Sequence, residues 1–155
     1  EILEAILIHL ERLQKPKIEA LEILANCVQA CIHLLALGGY GLPLQKCCQS
    51  GKNLEPPIGN WDWSCSLIDD EGFETGKIDN AKLTLNASEL ALLQRLLKPY
   101  LPRKKESGQI LGPLEVWLKL LKLLEIWINA NLKKNVNSFG MLRHSYLNNN
   151  SLGMG

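Results

Sequence analysis

The stretch KIEALEILANCVQACIHLLAL, residues 17–37, followed by Gly38-Gly39-Tyr40, decides the fold. Ile18, Leu21, Ala25, Val28, Ile32 and Leu35 alternate in steps of three and four, and Leu24, Cys27, Cys31 and Leu34 form a second apolar stripe beside them. Residues at these spacings share a face of a 3.6-residue helix. A helix apolar over so much of its circumference is expected at the centre of a core, with Leu35 buried. Pro16 marks its start, because proline keeps the preceding residue out of the α region. Gly38-Gly39 ends it, since glycine enters the left-handed cap conformation cheaply. Gly38, Gly39 and Tyr40 thus shape the turn out of the central helix.

Helical spacing continues on both sides. Ile2, Leu3, Ile6, Leu7, Leu10 and Leu13 predict a helix over 1–14. A chain that starts at Glu1, inside such a pattern, reads as a fragment. Asn86 with Glu89 three residues on is a capping box, and Leu90, Leu93 and Leu97 carry that helix toward Lys98-Pro99. Pro113 opens a last helix. In it Leu114, Trp117, Leu121, Leu124 and Ile128 repeat at three and four, and Glu115 is placed to pair with Lys119. Lys133 and Lys134 suit its C-terminus; a short apolar turn over 136–142 and a frayed end from Asn148 follow. The segment 40–87 is different. Glycine, proline and asparagine punctuate short apolar pieces. Trp61, Trp63, Cys65 and Leu67 alternate with Asp62, Ser64 and Ser66 in the period of a half-buried strand, and Leu83 and Leu85 suggest another. The expected fold is mainly α: a single helical, bundle-like domain over 1–155 with a small β-rich or irregular, zinc-finger-like insert at residues 40–87.

Composition narrows the class. The chain has 155 residues, 46% of them hydrophobic and 21% charged, with net charge +1. That balance supports one globular core and excludes disordered and collagen-like chains. Five cysteines, an odd number, point to a reducing compartment and a cytoplasmic protein rather than a disulfide scaffold. No 18-residue apolar stretch free of charge occurs, so no membrane partner is expected.

Three chemistries are open to these residues. Cys47, Cys48 and Cys65 invite a zinc knuckle, which needs four ligands from two tight turns. Ser50 stands three residues after Cys47 and Ile68 three after Cys65, so neither knuckle is complete. A metal-free remnant is preferred over intact zinc, and no cofactor is expected. His9, His33 and His144 are not linked by sequence to any cysteine, and no assembled catalytic site emerges, so an enzyme is disfavoured. Charge asymmetry is the stronger signal. Between Arg95 and Arg143 ten Lys/Arg face three glutamates, a net of +7, whereas residues 61–80 hold six Asp/Glu against Lys77. Arg103, Lys104, Lys105, Lys133, Lys134 and Arg143 are the candidate contacts for DNA phosphates or an acidic peptide.

The order Leu34-Leu35-Ala36-Leu37-Gly38-Gly39-Tyr40-Gly41, then Cys47-Cys48-Gln49-Ser50-Gly51, then Asp70-Glu71-Gly72-Phe73, then Leu85-Asn86-Ala87-Ser88-Glu89-Leu90 resembles the C-terminal region of the RecO family of DNA repair and recombination mediators. The resemblance covers nearly the whole chain. It implies an N-terminal OB-fold outside this sequence, a helical domain, and a zinc or zinc-less finger inserted in it. It also implies an activity without bond chemistry. Such proteins anneal single-stranded DNA and, with RecR, help place RecA on strands coated by single-strand-binding protein (SSB), whose acidic, phenylalanine-ended tail some members hold. Some members carry Arg-Phe-Glu late in the central helix, where this chain has Gln29-Ala30-Cys31; no tail-binding arginine carries over. The alternative reading is a helical protein-interaction scaffold with no nucleic-acid role.

Overall fold

The computed structural model describes residue 4 and residues 17–153, with side chains within 19–135. The expected helix over 1–14 lies outside the described residues. Three helices and three strands follow in order: α1 (Lys17–Leu37), β1 (Ser64–Ile68), β2 (Gly72–Thr75), β3 (Thr84–Asn86), α2 (Ala87–Arg95) and α3 (Leu114–Gly153). The strands form one antiparallel sheet in the order β2-β1-β3, with Cys65 opposite Thr75 on one side and Leu85 on the other.

Helices and sheet share one core. Leu24, Val28 and Ile32 of α1 join Trp117, Leu120 and Leu124 of α3, Leu90 and Leu93 of α2, and Cys65, Leu67, Phe73 and Leu85 of the sheet. The molecule is therefore mixed α/β rather than mainly helical. The insert does not hang beside a bundle; its strands supply a wall of the same core.

Each boundary has a local cause. At the end of α1 the Gly39 N–H donates to the Ala36 carbonyl (3.2 Å) and the Tyr40 N–H to the Leu35 carbonyl (2.8 Å), with Gly39 at φ +86°. That is a Schellman cap with glycine in the left-handed position. At α2 the Asn86 side chain accepts from the Glu89 N–H (2.8 Å), and the Glu89 carboxylate accepts from the Asn86 N–H (2.9 Å), as the capping box predicts.

Several expectations change. α1 is not wrapped on all sides. Leu34 is 66% exposed, Leu37 is 85% exposed, and Leu35 is half-buried at the core's edge. The helix presses its 24/25/28/32 face inward, with Leu21, Cys31 and Leu35 packed against the core's edge, so its second stripe is only partly covered and leaves the core at Leu34. Residues Glu19–Leu37 have the length and mean hydropathy, 1.7, of a membrane-crossing helix, although Glu22 interrupts them. Trp61 leaves the alternating pattern because Asn60 folds the chain there: its side chain accepts from the Asp62 N–H (3.1 Å). Ser66, expected outside, is buried because its hydroxyl is fully used. It donates to the Gly76 carbonyl (2.8 Å), accepts from the Ile78 N–H (3.2 Å) and meets the Thr84 hydroxyl (3.1 Å). Lys119 pairs with Glu89 of α2 (2.9 Å) instead of Glu115, because Glu115 points to solvent. α3 does not stop near Lys133 and Lys134 but continues to Gly153, with no proline after Pro113 to break it.

Candidate nucleic-acid interface

The segment 96–103 is strapped lengthwise to α1. His33 Nε2 meets the Leu96 carbonyl (2.9 Å), and Gln29 Nε2 donates to the Lys98 carbonyl (2.8 Å). Arg103 donates to the Glu22 carboxylate from both terminal guanidinium nitrogens, one bond at 3.1 Å and the other shorter. Positions 22, 29 and 33 recur at steps of seven and four, which keeps them on one stripe of the helix. The eleven residue steps from Glu22 to His33 cover about 16 Å of helix. A polar ladder on a largely apolar helix thus fixes the strap.

Beyond the strap the chain makes a narrow loop. The Leu111 N–H donates to the Pro102 carbonyl (2.9 Å), and the Lys104 N–H donates to the Gln109 carbonyl (2.7 Å). Leu101, Pro102 and Ile110 are buried and anchor it, while Lys104 and Lys105 project into solvent. The predicted triplet Arg103-Lys104-Lys105 is therefore together in one loop, but with divided roles. Arg103 is engaged, and its bonds hold the Glu22 carboxyl below the usual carboxylate range. The other two ammonium groups face water.

The second predicted group lies on α3. Lys133 is exposed. Lys134 pairs with Asp70 in the β1–β2 turn (3.0 Å), and that bond lowers the Asp70 carboxyl. Arg143 belongs to the α3 backbone, and its side chain lies outside those described.

The Gly38-Gly39-Tyr40 turn docks on α3: Trp127 Nε1 donates to the Tyr40 carbonyl (2.8 Å), and Asn135 Nδ2 donates to the Tyr40 hydroxyl (2.7 Å). These residues position the start of the insert. Its base is pinned by Gln94, whose Nε2 donates to the carbonyls of Leu44 and Leu54 (both 2.9 Å). Between them residues 45–54 fold back as a knuckle. The Cys47 N–H donates to the Lys52 carbonyl (2.8 Å), and the Cys48 N–H donates to the Phe73 carbonyl (2.8 Å), tying knuckle to β2.

The cysteines behave differently from one another. Burial alone would push the Cys47 thiol up, but hydrogen bonds from the Ser50 side chain and from the backbone of Ser50, Thr75 and Gln49 bring it down to about 6. Cys65 is pushed up to about 12, chiefly by burial. Ser50 fills the place of a second knuckle cysteine and turns its hydroxyl toward Cys47. Among the described residues no three His, Cys, Asp or Glu side chains gather into a group suited to a metal ion. Ser50 and Ile68, at the second position of each knuckle, are not zinc ligands.

Sequence reasoning missed Glu22, Gln29, His33 and Gln94. The signal available was polar residues spaced at four and seven on apolar helices, which face a partner backbone when they are not solvated.

Known proteins place this architecture. The family profile described as "Recombination protein O C terminal" matches residues 1–139. The DNA repair protein RecO of Synechococcus sp. (strain WH7803) is 58% identical over 146 residues, covering 92% of this chain and 54% of that protein. The DNA repair protein RecO of Prochlorococcus marinus (strain MIT 9303) is 51% identical over 150 residues, covering 94% and 56%. The DNA repair protein RecO of Trichodesmium erythraeum (strain IMS101) is 24% identical over 154 residues, covering 84% and 52%. No solved structure matches. The chain belongs to the RecO family of DNA repair and recombination proteins. It spans about half the length of the relatives it matches.

Proposed function

We propose that this part of the protein is a non-enzymatic platform for recombination mediation. It holds single-stranded DNA through phosphate contacts while, with RecR, the whole protein helps RecA onto strands coated by SSB. The observation that carries the reading is the concentration of cation in the C-terminal half, with Lys104 and Lys105 held out on a loop strapped to α1. Lysines there bind phosphate without reading bases. The acidic, phenylalanine-ended SSB tail fits the same charge, and the exposed Leu34, Leu37 and Leu132 offer apolar contacts for a protein partner. The insert works in this reading without a metal.

Fluorescence anisotropy with a labelled single strand, at several salt concentrations, tests it. Binding at low salt is expected, with Lys104→Ala/Lys105→Ala flattening the slope of log affinity against log salt by about 0.7 for each phosphate no longer neutralised. The weakening should be similar on every sequence. Failure to bind any single strand or the acidic tail peptide at low salt would leave the scaffold reading in its place.

A further inference from the structure

Tyr100 lies in the basic strap, is 62% exposed, and makes no contribution to the core. Its neighbours do the opposite: Leu101 and Pro102 are buried, and the Lys98 carbonyl is fixed by Gln29. The chain is thus fastened on both sides of a phenol ring that points to water. Pro99 precedes the ring and restricts the backbone further. From residue 95 to 105 there are five cations, Arg95, Lys98, Arg103, Lys104 and Lys105, and no acid. Four of them are exposed with the ring and not engaged as Arg103 is with Glu22.

We infer that Tyr100 is a stacking platform for one unpaired nucleobase of single-stranded DNA, with Lys98 and the Lys104-Lys105 loop tip holding the phosphates on either side. This rests on the single-strand reading above and assigns it a residue that touches a base. An aromatic face flanked by ammonium groups matches the two features every nucleotide of a single strand presents, a π face and a phosphate. A duplex hides its base faces and would meet only the lysines. A backbone already held in place leaves only the ring's own rotamers to be lost on binding, so more of the stacking energy appears as affinity. Trp61, at 84%, is more exposed, but Glu55, Asp62 and the acidic stretch beyond them surround it in sequence. A phosphate would be repelled there, which makes Trp61 the natural control.

The test uses the full chain, a labelled oligothymidylate, and an abasic strand of equal length that keeps the phosphates but has no bases. Tyr100→Ala should weaken oligothymidylate binding about five- to 150-fold, the range of one base stack. It should leave the abasic strand unchanged, while Tyr100→Phe retains binding to both. Lys104→Ala/Lys105→Ala should weaken both strands, and Trp61→Ala neither. Equal loss on both strands, or no loss on either, with Tyr100→Ala overturns the stacking role while the lysine effect keeps the broader reading. If Tyr100→Ala weakens only an acidic, phenylalanine-ended peptide, the ring belongs to a protein site and the inference is overturned. If the native chain binds neither strand at low salt, both fall together. Unchanged circular dichroism and thermal midpoint of Tyr100→Ala and Tyr100→Phe separate any of these outcomes from unfolding.

Discussion

Cys47, 4% exposed, sits at a turn where donors from Ser50, Gln49 and Thr75 meet its sulfur. It also lines a cleft of about 390 Å³ with Gln49, Ser50, Lys52, Trp63 and Glu74. An ordinary thiol ionises near 8.5; this one is held near 6 because the hydrogen bonds outweigh burial. The thiolate is therefore favoured by the folded state. Its contribution to stability is present in full above about 8.5 and is lost as pH falls through about 6. In a variant with Cys47 as the sole cysteine, ultraviolet thiolate absorbance should titrate with a midpoint near 6. Ser50→Ala should move that midpoint upward and flatten the loss of stability across the same window. A midpoint above 8 would show that the turn does not hold a thiolate. The sequence made the incomplete knuckle plain, since Ser50 is visible where a ligand cysteine would stand. It could not show that Ser50 serves the sulfur instead, because that depends on the fold of residues 47–51 and on β2 arriving beside them. Purified chain should accordingly retain no stoichiometric zinc after dialysis; one zinc per chain, with unfolding on chelation, would sink this expectation.

α1 was readable at both ends because Pro16 and Gly38-Gly39 are breakers with defined backbone demands. Its facing was readable only in part. Two apolar stripes on one helix do not say which is covered, and the structure covers the 24/25/28/32 face while Leu34 stays in water. The phase of the helix can be measured directly. Leu24→Ala removes a fully buried side chain and should cost about 2–5 kcal/mol of unfolding free energy. Leu34→Ala should cost under about 0.5 kcal/mol, the scale of a surface change. Denaturant titration of the two variants checks this, and equal losses would mean a rotated helix. β2 was not legible: four residues, Gly72-Phe73-Glu74-Thr75, are too short for a period, and its strand character comes from pairing with β1. The end of α3 failed for the opposite reason. Lys133 and Lys134 resemble a C-terminal charge signal, but no backbone breaker accompanies them, and the helix runs on.

Across the molecule the acidic insert and the basic C-terminal half are not independent. Asp70, at the tip of the β1–β2 hairpin, reaches Lys134 on α3 at 3.0 Å. The pair lies at the surface, so its stabilising effect is at most about 1 kcal/mol. That small effect is present above the ordinary aspartate value and is lost as pH falls through the lowered value of Asp70. Its larger consequence is for binding. While Asp70 holds Lys134, one cation of the basic half is neutralised by the molecule itself and releases fewer counterions from a bound strand. Asp70→Asn keeps the size of the side chain, removes its charge and frees Lys134. Single-strand affinity at low salt should therefore rise in this variant. The slope of log affinity against log salt should steepen by about 0.7, the increment of one more neutralised phosphate. Asp79→Asn also removes one acidic charge from the insert, but at an exposed residue. It separates the two causes: if the effect came from net charge alone, both variants would shift affinity alike. If Lys134 itself meets phosphate, only Asp70→Asn changes the slope by that increment, and Lys134→Ala cancels the gain. An unchanged slope in Asp70→Asn would remove Lys134 from the surface that meets DNA and leave Lys104 and Lys105 to carry it.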